Sequence, residues 1–310
     1  MPHGWIILDK PLGLGSTQAV AAVKRNLREA GYGKKVKVGH GGTLDPLATG
    51  VLPIAVGEAT KLAGRMLDAT KAYEFTVRFG EQTDTLDAEG TVIATSDVRP
   101  TMVQVEAALP RFTGPIEQVP PAYSALKVDG ERAYDLARAG VDVELKARAV
   151  TIHGLVPLST VGVGVGVGGG ELSELTLLAT VSKGTYIRSL ARDIAHALGT
   201  CGTVTMLRRV KAGPFDLSQA ISLDKLNEIG KGAPLEHVLL PLEAGLDDIP
   251  AIDLDPEQAR AVRQGRVLTG MAFEDGLHWA REGIVPVALV ELSDGDVRVV
   301  RGFNLTDVAE

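Results

Sequence analysis

Cysteine is nearly absent: Cys201 is the single one in 310 residues, which excludes an internal disulfide and fits a reducing compartment. The six histidines, at 3, 40, 153, 196, 237 and 278, show no His-Glu-x-x-His spacing, and Cys-x-x-Cys is missing, so no metal is expected. No run comes near the ~18 apolar residues that a membrane span requires. At the N-terminus only Trp5–Leu8 is apolar, without the basic start and longer core of a signal peptide, so a cytoplasmic protein is expected. Positive charge is also short: 32 Lys and Arg stand against 39 Asp and Glu, a formal net charge of −7. That balance weighs against a nucleic-acid partner unless the basic residues are clustered, because phosphate binding normally leaves a basic footprint. Neither G-x-x-x-x-G-K-[ST] nor G-x-S-x-G occurs, so P-loop and α/β-hydrolase chemistry lack their signatures.

What is present is the composition of an ordinary folded protein, 45% hydrophobic and 23% charged, long enough for one large domain and a small one. Basic residues do gather locally, at Lys34, Lys35 and Lys37, at Arg188 and Arg192, and at Arg208, Arg209 and Lys211. Each cluster is either part of an RNA footprint or solvated surface charge.

Trp5–Leu8 reads as a buried strand ended by Asp9-Lys10-Pro11 and Gly13. Ser16 is the expected N-cap of a helix from Thr17 to about Glu29. A second helix is expected over Glu58–Leu67, and Tyr73–Phe79 alternates with period two, as a half-buried strand does. Thr83–Gly90 is acidic and polar, hence a loop. Further helices are expected over Met102–Leu109 and Arg132–Ala139, with strands over 147–157, 175–182 and 203–210. Ile187, Leu190, Ala191, Ile194 and Leu198 mark an amphipathic helix, which puts Arg188 and Arg192 on its other face. The glycine run 162–170 contains G-x-G-x-x-G, but a strand follows it where a dinucleotide site needs a helix, so a hairpin tip is the better reading.

Strands and helices do not alternate regularly, which favours an α+β fold over a doubly wound parallel sheet. Composition shifts near 241–256, with Pro241, Pro250 and Pro256, and a domain boundary is placed there. Beyond it, a helix over Pro256–Gln264 and short strands such as Val287–Leu292 and Val297–Arg301 suffice for a small, mostly-β module.

The most informative stretch is Gly39–Gly50, which holds one carboxylate, Asp45, in a glycine-rich turn. Pro46 disfavours a helical Asp45, and Gly41 and Gly42 allow a ligand backbone to approach. On residue types alone Asp45 is either an Asx-turn residue that satisfies a nearby N–H or a reactive carboxylate.

The run His40-Gly-Gly-Thr-Leu-Asp45-Pro-Leu-Ala-Thr-Gly50-Val-Leu-Pro53 closely resembles the catalytic motif of the TruB family, bacterial synthases that make pseudouridine 55 in the T-arm of tRNA. Leu8-Asp9-Lys10-Pro11, Gly57–Lys61, Lys71-Ala72-Tyr73, Tyr123–Lys127, Ser182–Arg188 and Leu207-Arg208-Arg209 continue the resemblance in order, over roughly residues 4 to 216. It implies Asp45 as catalytic aspartate, Tyr73 as the ring against the target base, and Arg188 as partner of the Asp45 carboxylate. His40, Tyr186 and Leu207 match substrate-contacting positions, and Lys10 and Lys61 match supporting basic positions. Taken singly, Leu207 reads as an ordinary core residue and Arg188 as a solvated helix charge.

The resemblance further implies a mixed, largely antiparallel pseudouridine synthase sheet flanked by helices and loops. A catalytic domain would span residues 1–245, with an RNA-contacting insertion at about 120–145, and a PUA-like RNA-binding module residues 246–310. The implied substrate is the tRNA T-arm stem-loop, with no cofactor, no obligatory protein partner and a monomeric chain. Two other readings are a tRNA-folding chaperone without catalysis and a metabolic enzyme with a phosphate-binding glycine loop.

Overall fold

The computed structural model of the protein describes residues 1–124, 126–128, 130–141, 145–163 and 170–305. The hairpin-tip reading of the glycine run falls on 164–169 and, with parts of the expected insertion, lies outside the described residues. The chain divides into two compact units, each discontinuous in sequence. Met1–Pro46, Gly50–Leu67 and Ala212–Glu310 make up the first, and Leu47–Thr49 with Asp68–Lys211 the second.

In the first unit the strand Gly4–Lys10 runs antiparallel to Ala48–Val56, in unbroken register from Gly4 opposite Val56 to Lys10 opposite Gly50. Val38–His40 pairs antiparallel with that same strand. A continuous apolar run such as Trp5–Leu8 suits a strand covered on both faces. Trp5 is fully buried, meets the Phe215 ring at a tilt with centroids 5.2 Å apart and donates its indole N–H to the Leu242 carbonyl at 3.1 Å. Trp279, Leu289 and Phe303, from the C-terminal part of the chain, bury in the same cluster. That part forms a four-stranded sheet in the order Ala251–Asp253, Gly276–Glu282, Val285–Ser293, Asp296–Gly302, with only the first pair parallel. Its helix, Pro256–Arg263, starts at Asp255, whose carboxylate accepts from the Gln258 N–H in a capping box.

Two helical expectations in this unit are corrected. The Ser16–Glu29 helix is capped by Gly15 rather than Ser16, whose hydroxyl is used elsewhere. The single helix expected over Glu58–Leu67 is two pieces, a 3-10 turn at Gly57–Leu62 and an α-helix at Ala63–Asp68.

The second unit is built on Lys71–Phe79, which pairs antiparallel with Glu171–Val181. Arg148–Val163 and then Gly114–Gln118 extend the sheet antiparallel, and Gly202–Ala212 lies along the other side of Lys71–Phe79. Period-two alternation puts Phe75, Val77 and Phe79 on one face, where Ile187, Leu190, Ala191 and Ile194 of the Ile187–Ala197 helix pack on them. The helix comes close because Gly202 has no side chain: a Cβ there would lie 2.6 Å from the Ala195 Cβ and 2.9 Å from Val77 Cγ1. The architecture is the α+β, largely antiparallel fold expected. Among the described residues no helix is long and apolar enough to cross a membrane.

Candidate active site

Asp45 lies half-buried in a turn without helix or strand, and the structure holds both of its chain neighbours. The Ser16 hydroxyl donates to the Leu44 carbonyl at 2.9 Å and accepts from the Leu44 N–H at 2.8 Å, which fastens this backbone to the start of the Ser16–Glu29 helix. After Asp45, the Pro46 carbonyl accepts from the ammonium of Lys10 at 3.3 Å and from the Gly13 N–H at 2.8 Å. Lys10 is fully buried, and its ammonium also donates to the carbonyls of Leu14 and Pro11 at 2.7 and 3.0 Å. A buried ammonium persists only when it is well hydrogen-bonded, so its burial and these carbonyls together make it a tie for the turn.

His40 ends the strand Val38–His40, and its Nδ1 accepts from the Gly42 N–H at 3.3 Å. Gly41 was expected to admit a ligand backbone, but the space beside it belongs to Met66: a Cβ there would lie 2.6 Å from the Met66 Cβ. Its role is close packing of the motif on the Ala63–Asp68 helix. Gly41→Ala is therefore expected to cost about 1–3 kcal/mol by overpacking, read as a lowered urea midpoint with unchanged slope. Lys61 sits one turn after Glu58, pairs with it at 2.6 Å and donates to the Gly302 carbonyl at 2.8 Å. Glu58 also accepts from the Asn304 N–H at 2.7 Å. Burial alone would raise the Glu58 pKa, but Lys61 and the Asn304 N–H outweigh it and hold the carboxyl below its ordinary value.

The second unit carries the other expected residues. Tyr73 and Leu207 are partly buried and pack against one apolar cluster, Tyr73 from Lys71–Phe79 and Leu207 from Gly202–Ala212. Tyr186 caps the Ile187–Ala197 helix, and its backbone is clamped by buried Gln118, whose Oε1 accepts its N–H at 2.8 Å while Nε2 donates to its carbonyl at 3.1 Å. Arg208 donates to the Thr49 hydroxyl at 3.3 Å, next to the end of the motif.

Arg188 is not on the solvent face of its helix. It is 8% exposed and shares a side of the helix with buried Ala191 and Ala195, three and seven residues on. Its Nη1 pairs with the Asp87 carboxylate at 3.1 Å and donates to the Thr85 carbonyl at 2.8 Å, and Nη2 donates to the Tyr123 carbonyl at 2.9 Å. Asp87 belongs to the acidic loop 83–90, which is a hydrogen-bonded turn. Thr83 donates to the Asp87 carbonyl at 2.7 Å and Thr85 to its carboxylate at 2.6 Å.

Arg209, grouped above with possible surface charges, is buried at 1% exposure, as is Lys71 at 7%. Desolvation, with Arg209 and Lys183 adding repulsion against the attraction of Asp68, lowers the Lys71 pKa to about 8. Sequence reasoning missed Gln118, Asp87 and the Ser16–Leu44 pair.

The fold is shared with solved structures. One, described as "Crystal Structure of a Cbf5-Nop10-Gar1 Complex", matches with a TM-score of 0.73 and 25% identity over 98% of this chain and 86% of that one. Another, "Structure of H/ACA RNP bound to a substrate RNA containing 2'-deoxyuridine", matches with a TM-score of 0.71 and 24% identity over the same shares. Residues 28–187 match the family described as TruB family pseudouridylate synthase (N terminal domain), and 188–247 match the tRNA pseudouridylate synthase B C-terminal domain. Fold and family define the class, an α+β pseudouridine synthase. Relatives carrying the name tRNA pseudouridine synthase B include one from Novosphingobium aromaticivorans, 74% identical over the full length of both chains. One from Zymomonas mobilis is 57% identical over 97% of this chain and 96% of its own. This chain belongs to the TruB family of pseudouridylate synthases.

Proposed function

We propose that the protein converts uridine 55 in the T-arm of tRNA to pseudouridine, with Asp45 as nucleophile. The substrate assignment rests on the relatives named tRNA pseudouridine synthase B. The observation that carries the Asp45 role is the anchoring of Leu44 by Ser16 and of Pro46 by Lys10, which presents one carboxylate from a turn fixed on both sides. Fixed geometry of this kind supports covalent or electrostatic catalysis, since the reacting group need not be ordered at the moment of reaction.

In the reaction the N1–C1′ bond of the uridine breaks, the uracil turns, and a C5–C1′ bond forms. The C5 proton leaves and N1 gains one, so product and substrate are isomers and no oxidant or activated group is consumed. A uridine in a folded arm is inaccessible, so it is extruded at a cost of about a few kcal/mol. Tyr73 stacks on the extruded ring and Leu207 covers another part of it. His40 and Tyr186 contact the substrate, and Arg188 is the cation that the resemblance assigns to the Asp45 carboxylate. Lys10 and Lys61 support the loop and its surroundings. Residues 1–245 form the catalytic part, with 120–145 contacting RNA, and 246–310 the RNA-binding module of a cytoplasmic, monomeric enzyme that uses no cofactor. Extrusion also opens the tRNA elbow, which allows an additional folding-chaperone role.

The test is incubation with transcript tRNA tritiated at uracil C5. One tritium is expected to be released per tRNA, with the product at position 55. Release from a transcript carrying cytidine at 55 would refute the position, and no release from any tRNA would refute the function.

A further inference from the structure

An acidic chain that handles RNA must concentrate its positive charge, and one concentration, which includes the Lys34, Lys35 and Lys37 cluster, lies outside the candidate active site. Between Lys24 and Lys37 there are six basic residues, Lys24, Arg25, Arg28, Lys34, Lys35 and Lys37, against one acidic residue, Glu29. Four of the six, Lys24, Arg25, Arg28 and Lys34, line a groove of about 850 Å³ along the Ser16–Glu29 helix, and no carboxylate lines it. Glu29 points elsewhere, its carboxylate lying beside Gly230. All four cations are exposed, and among the described residues none takes part in an ion pair. Arg25 meets only the neutral amide of Asn227, at 3.3 Å. Apolar side chains such as Leu27, Val38 and Leu223 also line the groove.

Within its own unit the helix and the strand that line the groove both lead to the motif loop. The helix that carries Lys24, Arg25 and Arg28 begins at Ser16, whose hydroxyl holds Leu44, and the strand that starts at Val38 ends at His40. From Ser16 to Lys24 and Arg28 the helix advances about 12 and about 18 Å, several times the ~3.4 Å rise per nucleotide along a strand, so the cations lie some nucleotides away from that loop.

We propose that this groove binds the phosphate backbone of substrate tRNA outside the reacting arm, so that recognition extends beyond the T-arm stem-loop. The inference rests on the tRNA reading of the preceding section. A local excess of five positive charges on a chain of net charge −7 is complementary to a polyanion, and the absence of lining carboxylates leaves no internal competitor for it. Lysine and arginine contacts to phosphate position an RNA without reading its sequence, as a groove holding the same part of every tRNA requires.

The experiment compares the full chain with a quadruple variant, Lys24→Gln, Arg25→Gln, Arg28→Gln and Lys34→Gln, by filter binding to full-length tRNA and to an isolated T-arm stem-loop. Full-length tRNA is expected to bind roughly 10–100-fold more weakly, with the slope of log K against log salt shallower by about 3 for four lost phosphate contacts. Affinity for the stem-loop and kcat at saturating tRNA are expected to stay unchanged, and a charge-keeping variant, Lys24→Arg, Arg25→Lys, Arg28→Lys and Lys34→Arg, to restore tRNA binding. Unchanged tRNA affinity and slope in the quadruple variant would overturn the proposal, as would an equal loss for tRNA and stem-loop. Absence of tritium release by the unaltered chain would instead strike the underlying enzymatic reading, which binding alone does not test.

Discussion

Asp45→Asn is expected to lower pseudouridine formation by at least about 10³-fold, the scale on which a nucleophile is lost. The two side chains are nearly the same size, so packing around the turn is preserved while the charge that attacks or stabilises the sugar is removed. Asp45 sits in a turn held through its neighbours' backbones, Leu44 by Ser16 and Pro46 by Lys10, so replacing its side chain leaves those anchors in place. The variant should therefore keep its urea midpoint close to that of the parent and bind tRNA with an affinity within about threefold. Single-turnover tritium release and filter binding, measured on one preparation, separate the two quantities. Activity within tenfold of the parent would remove Asp45 from the chemistry. Loss of binding in step with activity would recast it as a substrate-holding residue.

The motif itself was legible because it is contiguous, and so were the elements whose signal is a local period. Ile187, Leu190, Ala191 and Ile194 mark the helix, and the alternation in Tyr73–Phe79 marks the strand on which it packs. Polar partnerships were not legible. Ser16 looked like an N-cap because its position before a periodic run is where caps stand, yet its hydroxyl serves Leu44, 28 residues away. Gln118 and Tyr186 are separated by 68 residues, and nothing in either neighbourhood announces the other. Periodicity reports which face of an element is buried, not what a polar group on that face will meet. Arg188 did carry a usable signal, since it lies three and seven residues before Ala191 and Ala195. Its charge obscured what that spacing shows, a place on the buried side of the helix.

Arg188 leads to the second large effect. Asp87→Ala is expected to destabilise the protein by about 3–5 kcal/mol, as removal of one member of a buried pair does, because the guanidinium is left in place with its counter-charge gone. The side chains of the pair are 9% and 12% exposed, so solvent cannot take over the role of the carboxylate as it would at the surface. The loop suffers as well, since the Thr85 hydroxyl and the Glu89 N–H both use the Asp87 carboxylate, at 2.6 and 3.2 Å. Thr85 in turn supplies the carbonyl that receives Arg188 at 2.8 Å, so one deletion loosens two of the contacts that orient the guanidinium. Asp87→Asn keeps an oxygen acceptor for Thr85 and Glu89 but not the charge, and is expected to fall between the parent and Asp87→Ala in urea-derived stability. If Arg188 serves Asp45 in catalysis, kcat falls in both variants while KM for tRNA changes little, because the Asp87 side chain is buried against Arg188. Equal stability of the parent and Asp87→Ala would show that the pair contributes nothing net. A fall in stability with kcat intact would confine Arg188 to the architecture of its own unit.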